Sequence, residues 1–255
     1  MHPWPELPDG FAAFVLPTDP GVFAGLSDSA ALEPTGKGRR GAVLTRADAA
    51  GHVPLVRTTT RYAAPPQHFR PVHRHLADRI AERAGLPAEL DNALFETYTN
   101  AYTTMGAHSD QALDLAEGSS IAVFSCYRHP DAGPPRKLLF EAKTTGEKFE
   151  LPLLQGSVVT FTLEANRRFR HRIVLDKAPE AADNEWLGLT FRTAGTRLRF
   201  TDGTPRLPDG ARLTPAEEEQ QREFYALRRR ENTETDFAYP HLGYTLSASD
   251  LVPPV

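Results

Sequence analysis

From residue 92 the chain breaks into seven short apolar runs with turn residues between them. They read "NALFETYT", "SSIAVFSCY", "RKLLFEAK", "KFELPLL", "SVVTFTL", "RFRHRIVL" and "WLGLTFRT". Runs this short cannot be a bundle of ordinary helices, and "KTTGEK", "LQGS" and "EANR" supply turn chemistry. The pattern predicts a mainly β fold, an antiparallel meander closing as a jelly roll or barrel-like sandwich.

The flanks read differently. Residues 1–50 are rich in Gly, Pro, Ala and Asp and predict an irregular arm with one short strand, "TGKGRRG" being a loop. In "HFRPVHRHLADRIAERAGLP", Phe69, Val72, Leu76 and Ile80 share a helical face, with a start near Pro71 and a stop at Gly85 and Pro87. His73 and His75 lie among its arginines and read as solvated surface residues. In "LTPAEEEQQREFYALRRREN", Thr214 as N-cap, Pro215 as first helical residue and Glu217 as capping-box partner predict an exposed C-terminal helix. One domain spanning 1–255 is expected: an arm and helix over 1–90, a jelly-roll core over 91–200 and a helical extension over 201–255.

With 40% apolar and 24% charged residues the composition is that of an ordinary globule. A net charge of −4 argues against a surface built throughout for phosphate backbones. Cys126 is the only cysteine, so neither an internal disulfide nor a thiolate zinc site can form. The proline-bearing, acidic start is unlike a signal peptide, and no run is long enough to span a bilayer, so a cytoplasmic location without membrane contact is expected.

One constellation carries chemistry. His108 and Asp110 stand two apart just before a strand, and His171 lies in a later strand, "RRFRHRIVL". Two imidazoles and a carboxylate on one face of an octahedron leave three positions open on Fe(II), and a side-chain period of two sends both members of H-x-D to one side. Taken alone, H-x-D also arises from turn-capping aspartates, and His171 alone could be a core histidine. His129, in "YRHPDAG", reads as a loop residue.

Residues 92–193 resemble the AlkB-like branch of the Fe(II)/2-oxoglutarate dioxygenases. The resemblance rests on Tyr98, Gly106, His108, Asp110, "LAEGSSIAVFS", "LPLLQGSVVTFTL", His171 and "LGLTFR" ending at Arg192, in that order, with a weaker likeness upstream at "VPLVRTTTRY". It implies a double-stranded β-helix core and flanking helices, and Fe(II) on His108, Asp110 and His171. With 2-oxoglutarate as cosubstrate and O2, a substrate would be oxidised while succinate and CO2 are released. Arg192 is then suited to a cosubstrate carboxylate through paired charge-assisted hydrogen bonds, and Tyr98 to donating a phenolic one.

The departures are specific. Where AlkB-like enzymes usually have an arginine six residues before Arg192 and an asparagine four before it, this chain has Trp186 and Gly188. Glu96 replaces the usual asparagine two before Tyr98. Arg61, Arg170, Arg172 and Arg197 are the candidates for anchoring the far carboxylate of 2-oxoglutarate, and Trp186 is expected to fill core space. After the H-x-D stand Gln111, Ala112 and Leu113 instead of the acids suited to a cationic methylated base. Arg167, Arg168, Arg170 and Arg172 around His171 could receive an anionic substrate group or merely guard an edge strand. Hydroxylation of a small-molecule or amino-acid-like substrate is therefore preferred over oxidative demethylation of alkylated nucleic acid. A catalytically silent β-barrel binding protein is the alternative from another class.

Overall fold

The computed structural model describes residues 4–176 and 184–255. A large sheet is built from β1 (Phe11–Val15), β2 (Glu33–Gly36), β3 (Arg39–Thr45), β4 (Asn92–Tyr98), β5 (Ser120–Tyr127), β8 (Ser157–Thr162) and β10 (Trp186–Arg192), with Gln67–His68 added parallel to β3. Its order is β1-β8-β5-β10-β4-β3-β2, antiparallel throughout this path. A small antiparallel sheet, β9-β6-β7, is formed by β6 (Lys137–Ala142), β7 (Lys148–Pro152) and β9 (Phe169–Val174). The helices are α1 (Val22–Ser27), α2 (Pro71–Ala84), α3 (Leu163–Arg168) and α4 (Glu218–Glu231).

The near-continuous apolar runs have a structural cause. Alternate residues of a strand face opposite ways, and the large sheet is covered on both sides. Ile121, Val123 and Tyr127 of β5 meet Leu138, Phe140 and Ile173 of the small sheet, forming the inside of the jelly roll. Ala122, Phe124 and Cys126 face the other way, onto Phe23 and Leu26 of α1 and Leu76 and Ile80 of α2. All eight residues of β5 are consequently buried. The seven expected strands all form.

Several expectations require correction. The arm over 1–50 contains three strands and a helix, and Arg39 and Arg40 belong to β3, with only Gly38 (φ +70°) in the left-handed turn before them. The "EANR" segment is the short helix α3, capped by the Thr162 hydroxyl accepting from Ala165 N at 3.1 Å. Thr214 and Pro215 do not start α4, because they pair with Tyr244–Thr245 as parallel strands; the helix begins only after Glu217, whose N–H donates to Gln220 Oε1.

In α2, which runs from Pro71 to a left-handed Gly85, the inward face is Leu76, Ala77 and Ile80 together with His73, whereas Val72 is exposed. His73 is thus buried and not solvated, unlike exposed His75. Its Nδ1 accepts from Arg70 N at 3.0 Å, and Nε2 lies 2.6 Å from Ser29 Oγ, which donates to Leu26 O. A neutral ring satisfied at both nitrogens fits an apolar interface. Burial, with Arg70 and Arg74 nearby, pushes its pKa down to about 4.

Candidate metal centre and cosubstrate cavity

The segment before β5 runs antiparallel along the free edge of β9, with bridges between Thr104 and Val174 and between His108 and His171. His108 N donates to His171 O at 2.9 Å and His171 N to His108 O at 2.6 Å. Residues exchanging both backbone bonds sit directly opposite, so their side chains share a face; the two rings lie 4.6 Å apart between centroids. Asp110, two residues on, turns to the same side. Its Oδ1 is 3.3 Å from His171 Nε2 and 3.7 Å from His108 Nε2, and the three prospective ligand atoms lie within 4.8 Å of one another.

The surroundings prepare these atoms for a cation. His108 Nδ1 is 2.9 Å from the Gly106 carbonyl, which can only accept. That nitrogen therefore carries the proton, and Nε2 presents its lone pair. Arg192 donates through Nε (2.8 Å) and Nη2 (2.5 Å) to Asp110 Oδ2, leaving Oδ1 as a single oxygen ligand. Burial opposes ionisation of Asp110, but the Arg192 charge and the two imidazoles more than offset it and hold the carboxyl well below the usual range. Burial likewise lowers the pKa of His171, favouring the neutral, ligating ring. The donor set fits Fe(II): two neutral imidazoles, one monodentate carboxylate and an open side.

The loop is fixed by groups distant in sequence. Asn166 of α3 clamps the Asp110 backbone, accepting its N–H at 2.7 Å and donating to its carbonyl at 2.8 Å. From the far end of the chain, Asn232 Oδ1 accepts from Ser109 N, Arg228 Nη2 donates to Ser109 O, and Glu231 Oε1 accepts from Ala112 N. Asp114 is held by Arg57, Nε to Oδ2 at 2.9 Å and Nη2 to Oδ1 at 2.8 Å.

The triad and Arg192 line a cavity of about 520 Å³ that continues along β4 past Asn92, Leu94 and Glu96 to Arg39. Tyr225, Arg229 and Asn232 wall it on the α4 side, and Thr58, Thr59 and Thr60 complete the lining. Tyr98 does not line it: fully buried against Trp186 and Tyr102, it donates its hydroxyl to Glu96 Oε2 at 2.7 Å. Trp186 fills core, its indole lying across Gly188 so closely that a Cβ there would come within 2.0 Å of the ring.

None of the four arginines expected as alternative anchors lines the cavity. Arg61 donates to Gln221, Arg170 pairs with Glu141, Arg197 pairs with Asp91, and Arg172 is exposed. The basic run around His171 is likewise an outer face: Arg167 pairs with Glu117, and Arg168 donates to Asp9 O. His129 lies in an exposed turn. Sequence reasoning missed Asn166, Arg228 and Arg39. The first two had no local signal, since their partners lie 56 and 119 residues away.

The family model described as the 2OG-Fe(II) oxygenase superfamily matches residues 44–192, and the chain belongs to that superfamily of Fe(II)- and 2-oxoglutarate-dependent, O2-using enzymes. Its fold is AlkB-like. A solved structure described as that of OsALKBH1 aligns with 75% of this chain and all of its own, at 17% identity and a TM-score of 0.52. A prolyl-4-hydroxylase from Pseudomonas putida (17% identity, 72% of this chain and 92% of that one, TM-score 0.43) also matches. So does a prolyl hydroxylase from Trichoplax adhaerens in complex with a hypoxia inducible factor peptide (11%, 72% and 84%, TM-score 0.45). No curated protein matches the sequence. Among the described residues, no helix is long and apolar enough to cross a membrane.

Proposed function

We propose that this enzyme hydroxylates a small-molecule or amino-acid-like substrate, with His108, Asp110 and His171 as the Fe(II) ligands and Arg192 and Tyr98 serving the cosubstrate. The observation that carries the reading is the convergence of three ligand atoms on the wall of one cavity, with one carboxylate oxygen already taken by Arg192. When bound, Fe(II) with 2-oxoglutarate and O2 supplies the oxidising power: one oxygen atom enters succinate as CO2 leaves, and the other enters the substrate C–H bond.

The protein's part is orientation. Gly106 O fixes the His108 tautomer, Asn166 fixes the Asp110 backbone, and Arg192 fixes which carboxylate oxygen faces the metal. Arg192 holds Asp110 through Nε and Nη2, which leaves Nη1 for the cosubstrate end nearest the metal. The substrate approaches past Tyr225, Arg229 and Asn232. Arg229, which lines the cavity, suits a substrate with an anionic group, whereas Gln111 offers no charge to a cationic base. A cavity of this size holds a metabolite, and the arginine run outside it does not reach the metal.

The test reconstitutes the protein with Fe(II) and compares succinate formation and product masses across amino acids, small acidic metabolites and methylated oligonucleotides. Stimulation by a compound of the first two classes, with a gain of one oxygen, supports the proposal. Loss of methyl groups from an oligonucleotide, abolished by His108→Ala, would replace it with nucleic-acid demethylation.

A further inference from the structure

Within the cavity, Glu96 is held in an unusual way. Its Oε1 accepts from Arg39 Nε at 2.9 Å and again from Arg39 Nη2, while its Oε2 accepts from the Tyr98 hydroxyl at 2.7 Å. A guanidinium and a phenol around a carboxylate are what the far end of a dicarboxylic acid needs from a binding site. Here the carboxylate belongs to the protein.

The strand register explains how the donors come together. Trp186, Tyr98 and Arg39 stand directly opposite one another on β10, β4 and β3, and Gly188, Glu96 and Gly41 form the next row on the same face. The indole lying over Gly188 closes the β10 side of Tyr98, so the charge available at this level comes from the other neighbouring strand. Arg39 precedes the segment that matches the family model.

The other cavity arginines apart from Arg229 are committed elsewhere. Arg57 holds Asp114 and the carbonyls of Leu242 and Tyr244; Arg192 holds Asp110; Arg228 holds Glu231 and Ser109 O. Both carboxylate pairs line the cavity, but the Arg57–Asp114 side chains are only 3% and 5% exposed, whereas those of Arg39 and Glu96 are 18% and 10% exposed. Of the two pairs, Arg39–Glu96 is the more open to the cavity.

We propose that Arg39 and Tyr98 form the site for the far carboxylate of 2-oxoglutarate, and that Glu96 occupies it as an internal carboxylate which the cosubstrate must displace. The proposal rests on the dioxygenase reading above. Glu96 is then a specificity-determining residue. It opposes cosubstrates with a second carboxylate and leaves those without one nearly indifferent.

Anaerobic titration of the Fe(II)-loaded protein tests this with two probes, 2-oxoglutarate and 2-oxobutyrate, which lacks the far carboxylate. The readouts are the visible metal-to-ligand charge-transfer band and calorimetric affinity, with Fe(II) affinity and thermal unfolding as fold controls. Arg39→Met should weaken 2-oxoglutarate by about tenfold or more, the size of one charge-assisted contact, and leave 2-oxobutyrate unchanged. Glu96→Gln removes the competing charge and should tighten 2-oxoglutarate by about tenfold, again without effect on 2-oxobutyrate. Equal losses for both acids in Arg39→Met, unchanged 2-oxoglutarate affinity in that variant, or weakening in Glu96→Gln would each overturn the proposal. If Arg39→Met does not fold, the sign of the Glu96→Gln effect alone decides. A wild-type protein that binds Fe(II) but gives no band with either acid would instead bring down the dioxygenase reading, and this proposal with it.

Discussion

The two ends of the cavity are built on opposite plans. At the metal end, every contact keeps a small set of atoms where the superfamily chemistry needs them: Gly106 O on His108, Arg192 on Asp110, Asn166 on the loop backbone. At the far end the surroundings are refurnished, with an indole packed over a glycine, an arginine supplied from β3 and a glutamate between that arginine and a tyrosine. The difference teaches where such a site is free to change. A metal tolerates little displacement of its ligands, whereas a carboxylate can be gripped by a guanidinium arriving from either neighbouring strand.

The largest test of this contrast strikes the metal end. His108→Ala, Asp110→Ala and His171→Ala should each abolish stoichiometric Fe(II) binding and succinate formation, measured after metal reconstitution. Retention of Fe(II) by two of them would show that the metal lies elsewhere. Next is Arg192→Met, which frees Asp110 Oδ2; Fe(II) affinity is expected to fall roughly 10- to 100-fold, as for other groups that orient a metal ligand. An effect confined to 2-oxoglutarate affinity would show that Arg192 serves the cosubstrate alone and does not orient the metal ligand.

The packing of the far end is tested by Gly188→Ala, whose Cβ collides with the Trp186 indole. A loss of about 3 kcal/mol in unfolding free energy is expected from overpacking, largely recovered by adding Trp186→Leu; failure of that double variant to recover would show that the glycine serves something other than the indole. The smallest effect lies outside both ends. The folded-state pKa of His73 is pushed down to about 4 from an ordinary 6.5, so the neutral ring contributes stability that is complete above 6.5 and is lost as pH falls toward 4. By pH 5.5 the loss amounts to about 1.4 kcal/mol. Denaturant unfolding at pH 7.5 and 5.5 should show a shallower acid dependence in His73→Asn, and equal slopes would assign the acid sensitivity to other groups.

Most of the jelly roll was legible because its strands are short, apolar and punctuated. His108, Asp110 and His171 were legible because period-two alternation and an ordered set of motifs pointed to the same side of the same strands. Among arginines at helical spacing nothing marks His73 as a buried imidazole, and Ser29, the partner of its Nε2, comes from a segment more than forty residues earlier. "TGKGRRG" reads as a loop because it carries three glycines, and only the pairing of β3 with β2 and β4 turns its second half into a strand, with Arg39 at the cavity.

The sequence by itself determined the seven core strands, the His108, Asp110 and His171 donor set and the absence of an arginine at position 186, since these depend on local periodicity and residue chemistry. Tertiary structure decided which arginine meets which carboxylate. Arg192 meets Asp110 across 82 residues, and Arg39 meets Glu96 across 57. Such pairings follow from strand register and loop closure, which depend on packing summed over both sheets and leave no trace in the neighbours of either residue.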